Sequence, residues 1–164
     1  MGIDHFVSCP HTPEQNGIAE RKHRHIVETG LTLLAQASMP QRFWDDAFFS
    51  GIYLINRLPS SVLNFTSPFE KLFHRQPNYN MLRIFGCQCF PNLRPYTKHK
   101  LEFRSQPCTF IGYTPHHKGY KCLARDGRVF ISRDVSFNEN FFPFSQFLSR
   151  SNDESTNTDT TLLH

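Results

Sequence analysis

The sequence has little that would place it in a membrane or in the secretory pathway. Its 164 residues contain no run of about 18 apolar residues, so no transmembrane helix is expected. The first ten residues, MGIDHFVSCP, lack both the basic segment and the apolar segment of a signal peptide. We therefore expect an intracellular protein, in the nucleus or the cytoplasm, with no membrane as partner.

Cysteine pairs of the usual spacing are absent, which excludes the common metal and disulfide frameworks. The five cysteines are scattered, with no C-x-x-C pair, and the nine histidines show no H-x-x-x-H pair. Cys87 and Cys89 alternate along a strand-like run, which is not a zinc spacing. Without a secretory signal, we expect the cysteines to be reduced, buried thiols, and we expect no metal held by Cys and His.

Acidic residues are fewer than basic residues over most of the chain. The formal net charge is +4, but residues 145–164 carry −2, which leaves +6 on the first 144 residues. A basic excess of this size is only a weak indication of a nucleic-acid partner. Residues 145–164 are polar, aperiodic and rich in Ser, Thr and Asn, and this composition predicts a disordered tail.

Three helices are predicted within residues 1–76. In the first, apolar residues recur at helical spacing up to a Met-Pro pair. The second is apolar on nearly every side and should therefore be buried. The third has Ser67 as its N-cap and Pro68 at its first position. The predicted helices span residues 17–37, 41–56 and 67–73.

Residues 82–140 have the character of a small antiparallel sheet or barrel. Runs of strand length, rich in β-branched and aromatic residues, cover residues 82–93, 107–114, 119–124 and 128–137. An Asp-Gly pair between the last two runs predicts a hairpin with a two-residue loop. Strict alternation places Phe110 and Tyr113 on opposite faces, and Gly112 indicates a bulge or a close backbone approach.

Glu20 heads a cluster of basic residues at the start of the first helix. An α-helix turns by about 100° per residue, which places Glu20 on the same face as Val27, Leu31 and Leu34. This is the face expected to be buried. Arg24 lies one turn further along, so a Glu–Arg ion pair on the helix surface is one interpretation. An active-site carboxylate that faces a cleft is the other. The basic side chains beside it form either a solvated face or a phosphate-contacting surface: Arg21, Lys22, Arg24 and His25.

Several motifs, in this order, resemble the integrase region of copia-type retrotransposon polyproteins. They are SCPHTPEQNGIAERKHRHIVE, FWDDAFFSGIYLINRLPS, FGCQCF, FIGYT, KGYKCL and VFISRDVSFNE, and the resemblance covers about residues 1–144. It implies an α+β chain that begins with a helical remnant of the ribonuclease-H-like integrase core, over residues 1–76. A small antiparallel SH3-like barrel over residues 82–140 and a disordered tail over residues 145–164 would follow.

The resemblance also implies a metal site built from three carboxylates. The family motif NG-x-x-ER falls on residues 16–21, which makes Glu20 the third acid. Such acids hold two Mg²⁺ or Mn²⁺ ions, which activate the attacking oxygen and stabilise the leaving oxygen in phosphodiester transfer. The family's second Asp would lie upstream of Met1, and Asp4 is too close to Glu20 to replace it. We therefore expect no bound cofactor and no catalysis by this chain alone, unless upstream sequence completes an active polynucleotidyl transferase.

DNA is the partner that the resemblance implies, bound weakly and largely without sequence preference. Residues 94–104, RPYTKHKLEFR, interleave basic residues with aromatics, as nucleic-acid surfaces do and as ordinary solvated loops also do. The candidate DNA-binding residues are Asn16, Arg21, Lys22, Arg24, His25, Lys98, Lys100 and Arg104. The alternative is a non-catalytic structural remnant that associates with itself, or with a missing upstream core, through exposed apolar helices.

Overall fold

The computed structural model describes residues 17–96, 101–114 and 119–146. Over these residues three α-helices precede five β-strands, so the predicted α+β class is confirmed. Three candidate residues, Asn16, Lys98 and Lys100, lie outside the described residues, as do residues 147–164 of the predicted tail. No helix in the described ranges is long and apolar enough to cross a membrane.

The first helix, α1, spans Gly17–Gln36, close to its predicted bounds. It ends where Ser38 takes a left-handed backbone conformation, with φ of 53°. Near the middle of the helix, Gly30 is buried against the ring of Phe48 from the second helix. A Cβ atom at Gly30 would overlap this ring, so the glycine lets the two helices approach closely.

The segment predicted as one helix over residues 41–56 forms a 3-10 turn, Gln41–Phe43, followed by α2, Trp44–Ile55. The buried residues of α2 are small ones, Ala47, Ser50 and Gly51. Trp44 and Phe49 are 57% and 67% exposed, so this helix is only partly buried by the described residues. The physical reason is that α1 and the sheet cover only the side of α2 that carries the small residues, where close packing is possible.

The third helix, α3, spans Pro68–Phe73 and has the predicted cap. The Ser67 hydroxyl oxygen accepts a hydrogen bond from the backbone N–H of Glu70 over 3.1 Å. Pro68 occupies the first turn, where the absence of an N–H costs nothing. His74 ends the helix in a left-handed conformation, with φ of 52°.

The five strands form one antiparallel sheet in the order β4-β3-β2-β1-β5. The strands are β1 (Gln88–Pro91), β2 (Cys108–Tyr113), β3 (Tyr120–Ala124), β4 (Val129–Ser132) and β5 (Val135–Asn138). β4 and β5 lie at opposite edges, although only residues 133–134 separate them in the chain. The sheet must therefore curve toward closure, as the barrel prediction requires.

Residues 128–137, predicted as a single strand, form the two strands β4 and β5. The chain turns between them, where the Ser132 hydroxyl donates a hydrogen bond to the Asp134 carbonyl oxygen over 3.0 Å. β4 then pairs with β3, whereas β5 pairs with β1 on the other side of the sheet. The single-strand prediction is wrong because composition reveals strand propensity but not a change of pairing partner.

The hairpin between β3 and β4 is present, but its loop is longer than predicted. The N–H of Ala124 donates to the carbonyl oxygen of Arg128 over 2.8 Å, which leaves residues 125–127 in the loop. Gly127 supplies the positive φ, 88°, that a three-residue hairpin loop needs. The Asp-Gly pair therefore marked the turn correctly and its length wrongly.

A bulge in β2 changes which side its residues face. The register of β2 with β3 shifts between Phe110 and Gly112, and Gly112 has φ of 133°. A Cβ atom at Gly112 would lie 2.6 Å from the Ser50 hydroxyl oxygen of α2, so the predicted bulge and close approach are confirmed. The prediction that Phe110 and Tyr113 face opposite sides is wrong, because the bulge interrupts the alternation. Their ring centroids lie 5.3 Å apart in the same core.

Two apolar clusters stabilise the described part of the chain. The sheet core contains Cys87, Cys89, Cys108, Phe110, Tyr120, Cys122 and Ala124. The second cluster joins α1 and α2 to the sheet through Leu34, Ala37, Met39, Ala47, Phe85 and Ile111. Residues from both predicted domains share this second cluster, so the sheet covers part of the helical surface. The domain bounds themselves stay a prediction.

Two further contacts connect α2 with the sheet. The Lys121 ammonium of β3 pairs with the Asp46 carboxylate of α2, and both side chains are largely buried. The ring of Tyr53 in α2 stacks on the ring of Tyr113 in β2, with centroids 3.8 Å apart and planes at 11°. These contacts fix the position of α2 on the sheet, and through α2 they also position α1.

Candidate nucleic-acid interface

The first turns of α1 present a row of basic side chains to solvent. Arg21, Lys22, Arg24 and His25 are all exposed. The Arg21 Nε donates a hydrogen bond to the Gly17 carbonyl oxygen over 3.3 Å, which holds this side chain along the start of the helix. Among the residues that the structure describes, none of the four takes part in an ion pair. Their charge can therefore act on an anionic ligand.

Glu20 lies at the exposed end of the helix face that it shares with apolar residues. Val27 is half-buried and Leu34 is buried, whereas Glu20 and Leu31 are exposed. Packing of this face thus begins about two turns after Glu20. Within the described ranges no ion pair joins Glu20 to Arg24, so the surface-pair interpretation is not realised.

A metal site needs several ligands, and the described part of the chain does not offer them around Glu20. No group of three or more His, Cys, Asp or Glu side chains in it could hold a metal ion. A pair of Mg²⁺ or Mn²⁺ ions requires several oxygen ligands, so these residues do not fit such a pair by themselves. The catalytic and metal-binding roles of Glu20 stay predictions.

The second basic segment, residues 94–104, is described only at its two ends. Arg104 is exposed, and its carbonyl oxygen accepts a hydrogen bond from the N–H of Leu93 over 2.8 Å. The Tyr96 hydroxyl donates to the Ile131 carbonyl oxygen of β4 over 2.9 Å, so this tyrosine is anchored to the sheet. Arg104 is therefore attached to the sheet, whereas the basic residues of α1 lie on a different element.

Sequence reasoning missed another cationic surface, in which arginines alternate with aromatic rings. The Arg57 guanidinium carbon lies 3.3 Å from the ring centroid of Tyr53 and 5.0 Å from that of Phe69. The Arg75 guanidinium carbon lies 5.4 Å from the centroid of Phe69 and 5.9 Å from that of Phe73. A signal was available, because Tyr53 and Arg57, like Phe69 and Phe73, are four residues apart and can meet at helical spacing.

Raised pKa values mark the packed interior of the sheet. Burial raises the pKa of the Cys87 and Cys108 thiols to about 12, and that of the Tyr113 phenol to about 12. These groups are protonated at neutral pH, as an apolar interior requires. The four described cysteines are free and buried, which confirms that prediction for them; Cys9 lies outside the described residues.

A family model matches the sheet and the residues around it. Residues 87–150 match the model of the retroviral polymerase SH3-like domain. This range contains all five strands of the described sheet. The SH3-like prediction for the β part is therefore confirmed.

Three plant relatives match most of the chain. The chain is 56% identical over 149 residues to the retrovirus-related Pol polyprotein from transposon RE1 of Arabidopsis thaliana, with 90% of this chain covered. Identity to the corresponding polyprotein from transposon RE2 of the same plant is 57% over 145 residues, or 88% of this chain. The polyprotein from transposon TNT 1-94 of Nicotiana tabacum is 40% identical over 139 residues, 84% of this chain. In each case the chain spans 10% of the relative's own length.

Proposed function

The chain belongs to the Pol polyproteins of copia-type retrotransposons, and we propose that it is a DNA-contacting segment of their integrase region. Two features support the integrase assignment. The motifs that resemble that region run from residue 8 to residue 139. The SH3-like domain follows the helices in the order that the resemblance implies.

The exposed basic start of α1 carries the DNA-binding part of the proposal. Arg21, Lys22 and Arg24 place three permanent positive charges within about one turn of helix, and His25 adjoins them. No acid among the described residues forms an ion pair with them. A cationic patch of this kind contacts phosphates and positions the duplex without reading its sequence. We therefore infer weak, salt-dependent binding to duplex DNA.

Charge reversal of the α1 cluster should remove most of this binding. If Arg21, Lys22 and Arg24 each neutralise one phosphate, the slope of log K against log salt should become less negative by about 2.7 in the variant R21E/K22E/R24E. Fluorescence anisotropy with a labelled duplex, titrated at several salt concentrations, measures both the affinity and the slope.

A matched variant separates this patch from overall charge. R42E/R128E/R133E reverses three exposed arginines on other elements and changes the net charge by the same amount. It should retain most of the slope that the α1 variant loses. Equal losses in both variants would show that net charge alone drives binding, and would contradict a specific role for α1.

The proposal does not assign strand transfer to this segment by itself. Of the three acids that the resemblance implies, the chain offers Glu20, and the described residues around it do not complete a metal site. Catalysis by the longer polyprotein would therefore need carboxylates from outside these residues. No catalytic step is derived from Glu20 alone.

Self-association is the second candidate function, and the exposed aromatic residues of α2 favour it. Trp44 and Phe49 remain exposed although α2 packs on both α1 and the sheet. If a second copy covers them, sedimentation velocity should reveal a dimer whose dissociation constant rises about tenfold or more in W44A/F49A, since aromatic residues dominate interface energies. A chain that sediments as a monomer at every accessible concentration would exclude this function.

A further inference from the structure

Residues from α2, α3 and β2 build a continuous stack of rings and guanidinium groups. The Tyr113 and Tyr53 rings are parallel, with centroids 3.8 Å apart. The Arg57 guanidinium carbon lies 3.3 Å from the centroid of Tyr53 and 5.0 Å from that of Phe69, so it contacts both rings. The inner end of the stack is thus packed against the sheet.

The outer end of the stack reaches solvent. The Phe69 and Phe73 rings have centroids 4.8 Å apart, and Phe73 is 54% exposed. Arg75 approaches both rings through its guanidinium group and is itself exposed, as is the neighbouring Lys71. Phe73 is therefore an exposed ring close to the Arg75 guanidinium, and Lys71 adds a second exposed cation to the same short helix.

Three hydrogen bonds to backbone carbonyl oxygens hold the residues under this surface in place before any ligand arrives. The N–H of Phe69 donates to the Asn56 carbonyl oxygen over 2.8 Å, which connects α3 with the end of α2. The Arg57 Nη1 donates to the Tyr53 carbonyl oxygen over 3.1 Å. The Tyr79 hydroxyl donates to the Arg57 carbonyl oxygen over 3.2 Å. A rigid platform of this kind loses little conformational entropy when it binds.

The charge of this region selects the kind of ligand. Between residues 57 and 83 the charged side chains are Arg57, Lys71, Arg75 and Arg83, opposed by Glu70 as the single acid. A ligand that complements both the charge and the exposed ring must be anionic and must offer flat π faces. Unpaired nucleotides meet both conditions, whereas a duplex keeps its base faces stacked inside.

We propose that the surface formed by Phe73, Lys71 and Arg75 binds single-stranded nucleic acid. An unstacked base lies on the Phe73 ring, and the flanking phosphates contact the Lys71 ammonium and the Arg75 guanidinium. This platform lies on α3 and the residues after it, so it is separate from the duplex-binding patch of α1. The proposal does not rest on that patch.

Anisotropy titrations of the full chain with labelled oligothymidylate and with labelled oligouridylate test the proposal. F73A should weaken binding roughly 5- to 150-fold, the effect of losing one base stack, and F73W should retain it. R75Q should make the slope of log K against log salt less negative by about 0.7, the effect of one phosphate contact on a single strand. A difference between the two oligonucleotides would report contact with the 2′-hydroxyl and so distinguish RNA from DNA.

Two controls make the result decisive. F65A removes another exposed phenylalanine, 79% exposed, which lies outside the helices, and it should leave binding unchanged. R21E/K22E/R24E should weaken duplex binding while the loss caused by F73A persists. Equal effects of F73A and F65A would overturn the proposal. Competition by polyglutamate but not by unlabelled single strands would also overturn it, and would identify the surface as a docking site for an acidic protein.

Discussion

The folded chain should lose stability steeply as the pH rises from 9 to 10. Three thiols of the sheet core have raised pKa values: burial raises those of Cys87 and Cys108 from 9.0 to about 12. The hydrogen bond with the Cys122 side chain, together with burial, raises the pKa of Cys89 well above its ordinary range. The unfolded chain releases these protons near pH 9, whereas the folded chain retains them.

Proton linkage determines whether stability rises or falls with pH. Above pH 9 the unfolded state binds fewer protons than the folded state, so the free energy of unfolding falls as pH rises. Each thiol contributes its full stabilisation below pH 9, and Cys87 and Cys108 lose theirs progressively up to about pH 12. Between pH 9 and 10 an unfolded thiol goes from half to about nine-tenths ionised, so the loss is about 1 kcal/mol per thiol and roughly 3 kcal/mol for the three. A typical domain has only about 5–15 kcal/mol of stability in total.

Urea unfolding at half-unit pH intervals from 7 to 10.5, with a reductant present to prevent disulfide formation, measures this slope. C87A should lower stability at neutral pH because it leaves a small cavity, but it should reduce the slope above pH 9 by about one third. The slope, not the absolute stability, distinguishes the titration from a packing defect. A free energy of unfolding that stays constant from pH 8 to 10 would contradict this account.

Local signals in the sequence were sufficient to predict the three helices and the α+β fold class. The α3 cap could be predicted because Ser67 and Pro68 act on the backbone of their own first turn. The end of α1 could likewise be predicted from the residues just beyond it. Helix existence depends on neighbours in the chain, so a single sequence contains most of the necessary information.

Errors arose where a distant element decides the outcome. The bulge at Gly112 accommodates Ser50 of α2, and this contact, not the pattern of β2, puts Tyr113 on the same side as Phe110. Lys121 of β3 likewise forms an ion pair with Asp46, which lies 75 positions earlier in the chain. Alternation and charge patterns within one segment cannot reveal such partners.

Some residues of the candidate interface could be predicted from the sequence, and others depend on distant contacts. The basic residues of α1 are consecutive, so the sequence alone predicted them as a cluster, and their exposure agrees with a binding role. The Arg57–Phe69–Arg75 arrangement escaped prediction because it forms only when α3 attaches to the end of α2 at Asn56. The family resemblance made Glu20 a candidate catalytic acid. The position of Glu20 on the helix did not by itself distinguish a catalytic acid from a surface acid.

Replacement of Gly86 by alanine should cost about 2–6 kcal/mol of stability, the sum of a strained backbone and an overpacked contact. Gly86 has φ of 79°, a conformation that residues with a Cβ rarely adopt. Its N–H donates to the Phe110 carbonyl oxygen over 2.8 Å, so the backbone cannot shift without losing this bond. A Cβ atom at residue 86 would overlap the Cβ of Ala37, which has no rotamer in which to move away.

Two comparison variants divide this cost into its parts. Gly127 has nearly the same φ, 88°, but open space around it, so G127A should pay only the backbone strain, about 1 kcal/mol. In A37G/G86A the overlapping methyl group is removed, so the added cost of G86A should be smaller in the A37G background than in the wild type. Thermal and urea unfolding of the four variants measure both differences. The contrary result is that G86A and G127A lower the free energy of unfolding equally and that A37G does not reduce the effect of G86A. In that case Ala37 does not contact Gly86, and the helices are not attached to the sheet through this contact.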